Sequence, residues 1–222
     1  GCSADLAEVR GFFDEMVGWA VDEGADLIIG ETFYFAGEAI AAAESAKASG
    51  LPVVLTLAPM AFQEMADGVS IVETAQRLEQ IGVDVVGLNC FRGPETMLPW
   101  LRQIREAVSC HVGALPIPYR TTEAEPTFFN LSDPPAAVPP PPGRTFPTPP
   151  APLYPTRYEI GPFAKEAYDL GVHSTGACSG APPMPLPGAA EAVGPPTRPG
   201  PSRAHIKTPL TSGTHKAPAH TA

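Results

Sequence analysis

The sequence contains no run of eighteen apolar residues, which excludes a membrane-spanning helix. No basic segment followed by an apolar stretch opens the chain, so no secretory signal is expected. Positive charge is scarce: 14 Lys and Arg stand against 24 Asp and Glu, a net charge of −10 over 222 residues. Nucleic acid is therefore not an expected partner, because phosphate binding needs clustered basic side chains. The Gly-x-Gly-x-x-Gly fingerprint, the Walker phosphate loop and the Gly-x-Ser-x-Gly elbow are all missing. Four widely spaced cysteines do not make a disulfide scaffold at this length, and a reducing, cytoplasmic setting is expected. There is no initiator Met either, and the chain reads as a piece of a longer one.

What the sequence has in excess is proline, unevenly placed. Seven of the 29 prolines lie in residues 1–133 and 22 in the remaining 89. Residues 134–155, with the run Pro139–Pro142, read as an extended, polyproline-like loop. Residues 181–222 contain no Phe, Tyr or Trp and carry a local charge of +3. Without large apolar groups such a segment cannot offset the entropy of ordering, so a disordered tail is expected there.

Ahead of the proline-rich loop the pattern is regular. Leu6, Val9, Phe13, Met16, Val17 and Ala20 recur at helical spacing, predicting an amphipathic helix that ends near Gly24. Residues 26–30 form a short apolar run, as expected of a strand buried on both faces. Further helices are expected over 36–49, from the Ser70/Glu73 capping box, from Gly93-Pro94-Glu95 and over 158–170. Strands are expected over 52–58, 83–89, 111–116 and 171–177. Alternating buried strands and helices specify a parallel sheet. Both a doubly wound sheet and a (β/α)8 barrel fit, although five strands fall short of a full barrel of roughly 250 residues.

In either architecture ligands sit at the C-terminal ends of the strands. Those ends carry Glu31, Pro59, Cys90, the Pro116–Tyr119 turn and Cys178. Two thiols and a carboxylate on one rim suggest a metal or substrate site, while a lone strand-end cysteine is ordinarily packing. Glu31 is harder to dismiss, because burying a carboxylate after four apolar residues is costly without a partner. Cys110 belongs to the opposite rim and Cys2 to the terminus. His111 and His173 have no second ligand at metal spacing and read as structural or solvated. Glu38, Glu44, Arg102, Arg105 and Glu106 read as solvated charge, as do Arg120 and Arg157, which flank the proline-rich loop.

Four ordered motifs carry a resemblance: Asp26-Leu-Ile-Ile-Gly-Glu-Thr-Phe33, Val86-Gly-Leu-Asn-Cys-Phe91, Pro116-Ile-Pro-Tyr-Arg-Thr121 and Gly176-Ala-Cys-Ser-Gly180. Together, over about residues 5–180, they resemble the zinc-dependent homocysteine S-methyltransferases, in particular the betaine–homocysteine methyltransferase-like branch. The resemblance implies a partial (β/α)8 TIM barrel, about the last five β/α units, spanning 1–180, with a proline-rich tail over 181–222. It implies zinc on three cysteine thiolates at the barrel mouth. Cys90 matches the first ligand and Cys178 the second, and Ser179 stands where the family has its third cysteine. Glu31 falls on the carboxylate that binds the amino acid part of homocysteine, and Thr32 and Asn89 are the further substrate-binding positions. Thr32 replaces an aromatic expected in betaine-using members, and Leu115 a glutamine.

The implied partners are homocysteine and a methyl donor such as betaine, with no nucleic acid and no membrane; oligomeric state stays open. The implied reaction gives methionine. Serine is a hard, neutral and much poorer zinc ligand than cysteine, so an inactive pseudoenzyme or binding fragment without zinc is the rival. The family's final helix is not expected to continue after Gly180 beyond a remnant at 189–193; a shifted reading frame from about residue 181 is one explanation.

Overall fold

The computed structural model describes residues 3–60, 62–132, 153–178, 180 and 185–194. Five strands, β1 (Ile28–Phe33), β2 (Val53–Leu57), β3 (Val85–Asn89), β4 (His111–Leu115) and β5 (Val172–Thr175), form one parallel sheet in the order β1-β2-β3-β4-β5. The helices are α1 (Ser3–Asp22), α2 (Ala36–Ala48), α3 (Ile71–Ile81), α4 (Pro94–Ala107), α5 (Arg157–Asp169) and α6 (Pro185–Val193). A doubly wound sheet reverses its strand order at a switch point, and this sequential order contains no reversal. Right-handed crossovers then put the helices on one face, where each packs on the next.

The core lies between sheet and helices. Val53, Leu55, Leu57, Val86, Leu88 and Val112 meet Ile71, Leu78, Met97, Leu101 and Ile104, all essentially inaccessible to solvent. Burial of each Leu or Ile contributes about 1.5–3 kcal/mol. On α2 the facing side chains are alanines, Ala39, Ala43 and Ala46, which bring that helix close to the sheet.

Gly87 on β3 has Gly113 on β4 as its register partner. A Cβ on Gly87 would lie 2.1 Å from the Gly113 carbonyl oxygen, so no side chain fits there. Gly87→Ala should therefore destabilise the fold by about 3 kcal/mol or more, read as a lower midpoint in urea unfolding.

Three expectations need correction. The first strand is not buried on both faces: β1 starts two residues later than its apolar run, and Leu27 and Ile29 are 44% and 62% exposed. β1 pairs only with β2 and is an edge of the sheet among the described residues. The Ser70 cap is half a box: Ser70 Oγ accepts from the Glu73 N–H at 3.1 Å, while the Glu73 carboxylate turns to Arg77. The full box is at Thr156, where Glu159 accepts from the Thr156 N–H at 2.6 Å.

The third correction concerns residues 181–222, expected to be disordered apart from a helix remnant at 189–193. Within them Pro185–Val193 is helical and packs on α5. The prolines fall in the first turn, where a missing N–H costs nothing, and Ala189, Ala190 and Ala192 favour helix. The two helices lie close at Gly161, where a Cβ would be in ordinary contact with Gly188 and Ala192 at 3.6 and 3.7 Å. Small residues in close contact thus do what aromatics would do elsewhere. The rest of the tail and most of the 134–155 loop lie outside the described residues.

Candidate functional site

The C-terminal rim is built by backbone bonds that run past the strands. Cys90 N–H donates to the Leu115 carbonyl at 3.0 Å, and Cys178 N–H to the Pro116 carbonyl at 2.9 Å. The end of β4 therefore carries both cysteines, one on each side, although they are 88 positions apart in sequence. Among the described residues, Thr32 (φ 67°), Cys90 (φ 61°) and Phe91 (φ 51°) are the non-glycine residues with left-handed backbone, and all three lie on this rim. Such conformations cost about 1–3 kcal/mol each and persist only where their surroundings hold them.

Cys90 and Cys178 are half-buried thiols, and a hydrogen bond joins their side chains. That bond, followed by burial and by the nearby charges of Cys178 and Glu31, pushes the Cys90 thiol far above its ordinary range. Glu31 itself is exposed, carried outward where the β1–β2 register breaks between Gly30 and Phe33. Cys178 and Glu31 thus both lie near enough to Cys90 to act on its thiol. Thr32 stands beside them. Ser179 and Cys2 lie outside the described residues, as do the side chains of Arg157 and His173.

Asn89 is the buried hub of the rim, at 0% exposure. Its Oδ1 accepts from the Thr32 N–H at 3.0 Å and from the Thr56 hydroxyl at 2.9 Å. Its Nδ2 donates to Thr32 Oγ1 at 2.6 Å.

Aromatic side chains wall the rim, and composition had not indicated them. Tyr34 lies 5.4 Å from Phe91, Phe91 stacks 5.9 Å from Phe128, and Tyr119 lies 5.2 Å from Tyr154. Burial, then the charges of Cys90 and Cys178, raise the Tyr34 phenol. Burial and a hydrogen bond to Tyr154 push Tyr119 up to about 12. The signal that could have found them is position: Tyr34 directly follows the end of β1, and Phe91 lies two residues past the end of β3.

Two cations brace the rim from behind. Arg92 is buried and stacks over Trp100 at 3.4 Å, donating to the Met60 and Thr96 carbonyls; burial lowers it to about 10. Arg120 grips Glu159 through two bonds of 2.6 and 2.8 Å, tying the Pro116–Thr121 turn to the start of α5 and holding Glu159 down to about 2. Elsewhere, Arg102 pairs with Glu166 and Arg10 with Glu44, His111 is exposed, and Cys110 lies at the opposite rim beside Glu79.

A zinc site can be tested against the donors present. Two contacting thiols beside a carboxylate are unfavourable as anions on their own, and a divalent cation relieves that cost. Soft sulfur donors suit zinc, so Cys90 and Cys178 fit as two of its ligands. Among the described residues no group of three His, Cys, Asp or Glu is arranged to hold a metal.

Paired thiols, a carboxylate and aromatic rings gather at the carboxyl ends of the parallel strands of this α/β protein, the end of the sheet where such folds ordinarily bind ligands. A family model described as homocysteine S-methyltransferase matches residues 2–190, and the chain belongs to that family. Betaine–homocysteine S-methyltransferase 1 of Xenopus tropicalis is 32% identical over 200 residues, covering 87% of this chain and 46% of the relative. The S-methylmethionine–homocysteine S-methyltransferase BHMT2 of Rattus norvegicus is 27% identical over 197 residues, covering 86% and 51%. The chain spans about half the length of the curated relatives it matches. In fold it is similar to the homocysteine methyltransferase MmuM from Escherichia coli, with a TM-score of 0.58 at 16% identity over 87% of this chain and 57% of the apo form. The metallated form of MmuM gives the same TM-score over 52% of its chain.

Proposed function

We propose that this chain is the homocysteine-binding part of a zinc-dependent homocysteine S-methyltransferase, and that its sheet is the wall of a (β/α)8 barrel. The observation that carries the proposal is the meeting of Cys90, Cys178 and Glu31, from three separate strand ends, on one rim. Cys90 and Cys178 would hold the zinc, and Ser179 occupies the third family position. Bound zinc would supply one piece of chemistry, stripping the proton from the homocysteine thiol near neutral pH. Glu31 and Thr32 receive the amino acid end of homocysteine, Glu31 pairing with its ammonium group. The sulfur then attacks the donor's methyl carbon: a new S–C bond forms, the donor's bond to that carbon breaks, and its electron pair stays on the departing nitrogen or sulfur. The products are methionine and a demethylated donor.

The donor is a small onium compound, betaine or S-methylmethionine in class. Tyr34, Phe91 and Phe128 support this choice, because ring faces attract a desolvated cation. A cytoplasmic setting agrees with Cys90, Cys110 and Cys178, none of which is in a disulfide. No helix among the described residues is long and apolar enough to cross a membrane.

The test supplies purified protein with zinc, homocysteine and each donor in turn, and follows methionine together with bound metal. Methionine that appears only with zinc supports the proposal; bound zinc without methionine from either donor overturns it. The absence of a three-ligand group among the described residues favours one second reading, a homocysteine-binding protein without catalysis. Homocysteine binding with neither zinc nor methionine would select it.

A further inference from the structure

Asn89, from its sequence motif, is expected to touch substrate, yet its side chain is closed off from solvent and spends its groups on Thr32 and Thr56. We propose that Asn89 is a positioning residue: it clamps the Glu31–Thr32 bulge of β1 against β3, and so sets the distance between the carboxylate that binds homocysteine and the Cys90 thiol. This rests on the homocysteine reading above.

The geometry follows from three facts. Thr32 adopts φ 67°, a conformation a β-branched residue rarely takes, and it does so where the β1–β2 register breaks. At that break a ladder partner is lost, and the Thr32 N–H turns to Asn89 Oδ1 instead. The clamp is bidentate, since Asn89 Nδ2 also holds Thr32 Oγ1. Asparagine carries an acceptor oxygen and a donor NH2 on one short, rigid amide, so it can accept from a backbone N–H and donate to a hydroxyl at once. Thr56 completes the seat from β2, so three neighbouring strand ends are joined by one side chain. The residue after Asn89 is Cys90. The carboxylate's bulge and the thiol's strand end therefore move as one body.

Asn89→Ala frees the bulge and misplaces Glu31 relative to the metal site. The homocysteine KM should rise about 10- to 100-fold, with the donor KM within about twofold of the parent, because a displacement of about 1 Å carries costs of that size. An unchanged homocysteine KM overturns the proposal.

Hydrogen exchange gives a readout independent of activity. In the parent the Thr32 amide should be protected, and in Asn89→Ala it should exchange at least tenfold faster while the Val86 amide stays slow. A Thr32 amide that exchanges freely in the parent overturns the clamp. Should Asn89→Ala fail to fold, NMR of the parent decides. With homocysteine added, the Asn89 side-chain amide should keep its position, whereas a large shift would mean direct substrate contact and sink the proposal. Failure to bind homocysteine at all would overturn the functional reading instead, leaving the exchange result to judge the clamp.

Discussion

Cys90→Ala is expected to abolish retention of zinc and to lower methyl transfer about 1,000-fold or more, a barrier increase of about 4 kcal/mol. Cys90 and Cys178 are the thiols the described rim offers, and removing one leaves a single sulfur with no soft partner. Metal affinity depends on the count of deprotonated ligands, so the loss should be nearly complete. The fold should survive, because Cys90 is only half-buried and its backbone N–H still bonds Leu115. Metal analysis after gel filtration, alongside circular dichroism, separates the two effects. The reverse change, Ser179→Cys, should raise zinc occupancy if that position supplies the third ligand. Zinc retained at parental levels by Cys90→Ala would remove the thiol pair from the metal site.

The second large effect is expected at Glu31. A carboxylate that pairs with an ammonium group contributes about 1.5–3 kcal/mol, so Glu31→Gln should raise the homocysteine KM about 10- to 100-fold. The same substitution should move a second observable the other way. The Glu31 charge adds a small push to the Cys90 thiol, behind the Cys178 hydrogen bond and burial, so removing it lowers the thiol slightly. More thiolate is then present at a given alkaline pH, and metal-free protein should be alkylated faster at Cys90 by iodoacetamide. Weaker homocysteine binding with faster alkylation is the combined signature. A merely structural role for Glu31 would give neither in that pairing.

Much of this was legible before any coordinates. β2, β3 and β4 could be read because their apolar runs are buried by both neighbours, so the local pattern and the tertiary environment agree. β1 agreed less well. Its apolar run includes Leu27 and Ile29, which the edge position leaves exposed, while the strand itself extends through Glu31 and Thr32. Period-2 reasoning cannot see an edge, since exposure there is decided by which strand is absent next door. Helix α6 was legible only as a remnant at 189–193, for a related reason. Its stabilising contact is a glycine on α5, 27 positions from Gly188, and nothing in the segment's own composition announces that partner.

At the site the division is sharper. Residue type and strand-end position alone picked out Glu31, Cys90 and Cys178, because thiols and carboxylates at such places carry their chemistry with them. Left-handed backbone at Thr32, Cys90 and Phe91 left no mark in the sequence, since none is glycine. Nor could the sequence say that Asn89 faces inward: an amide's role depends on which donors and acceptors the neighbouring strands bring within 3 Å. By itself, then, the sequence determined the order of strands and helices and the chemical groups available at the rim. The tertiary structure alone decided which of those groups meet, which are used up in holding the rim, and that aromatic rings wall it. Local patterning encodes burial and period, whereas a site is made by register and backbone strain between segments that the chain keeps far apart.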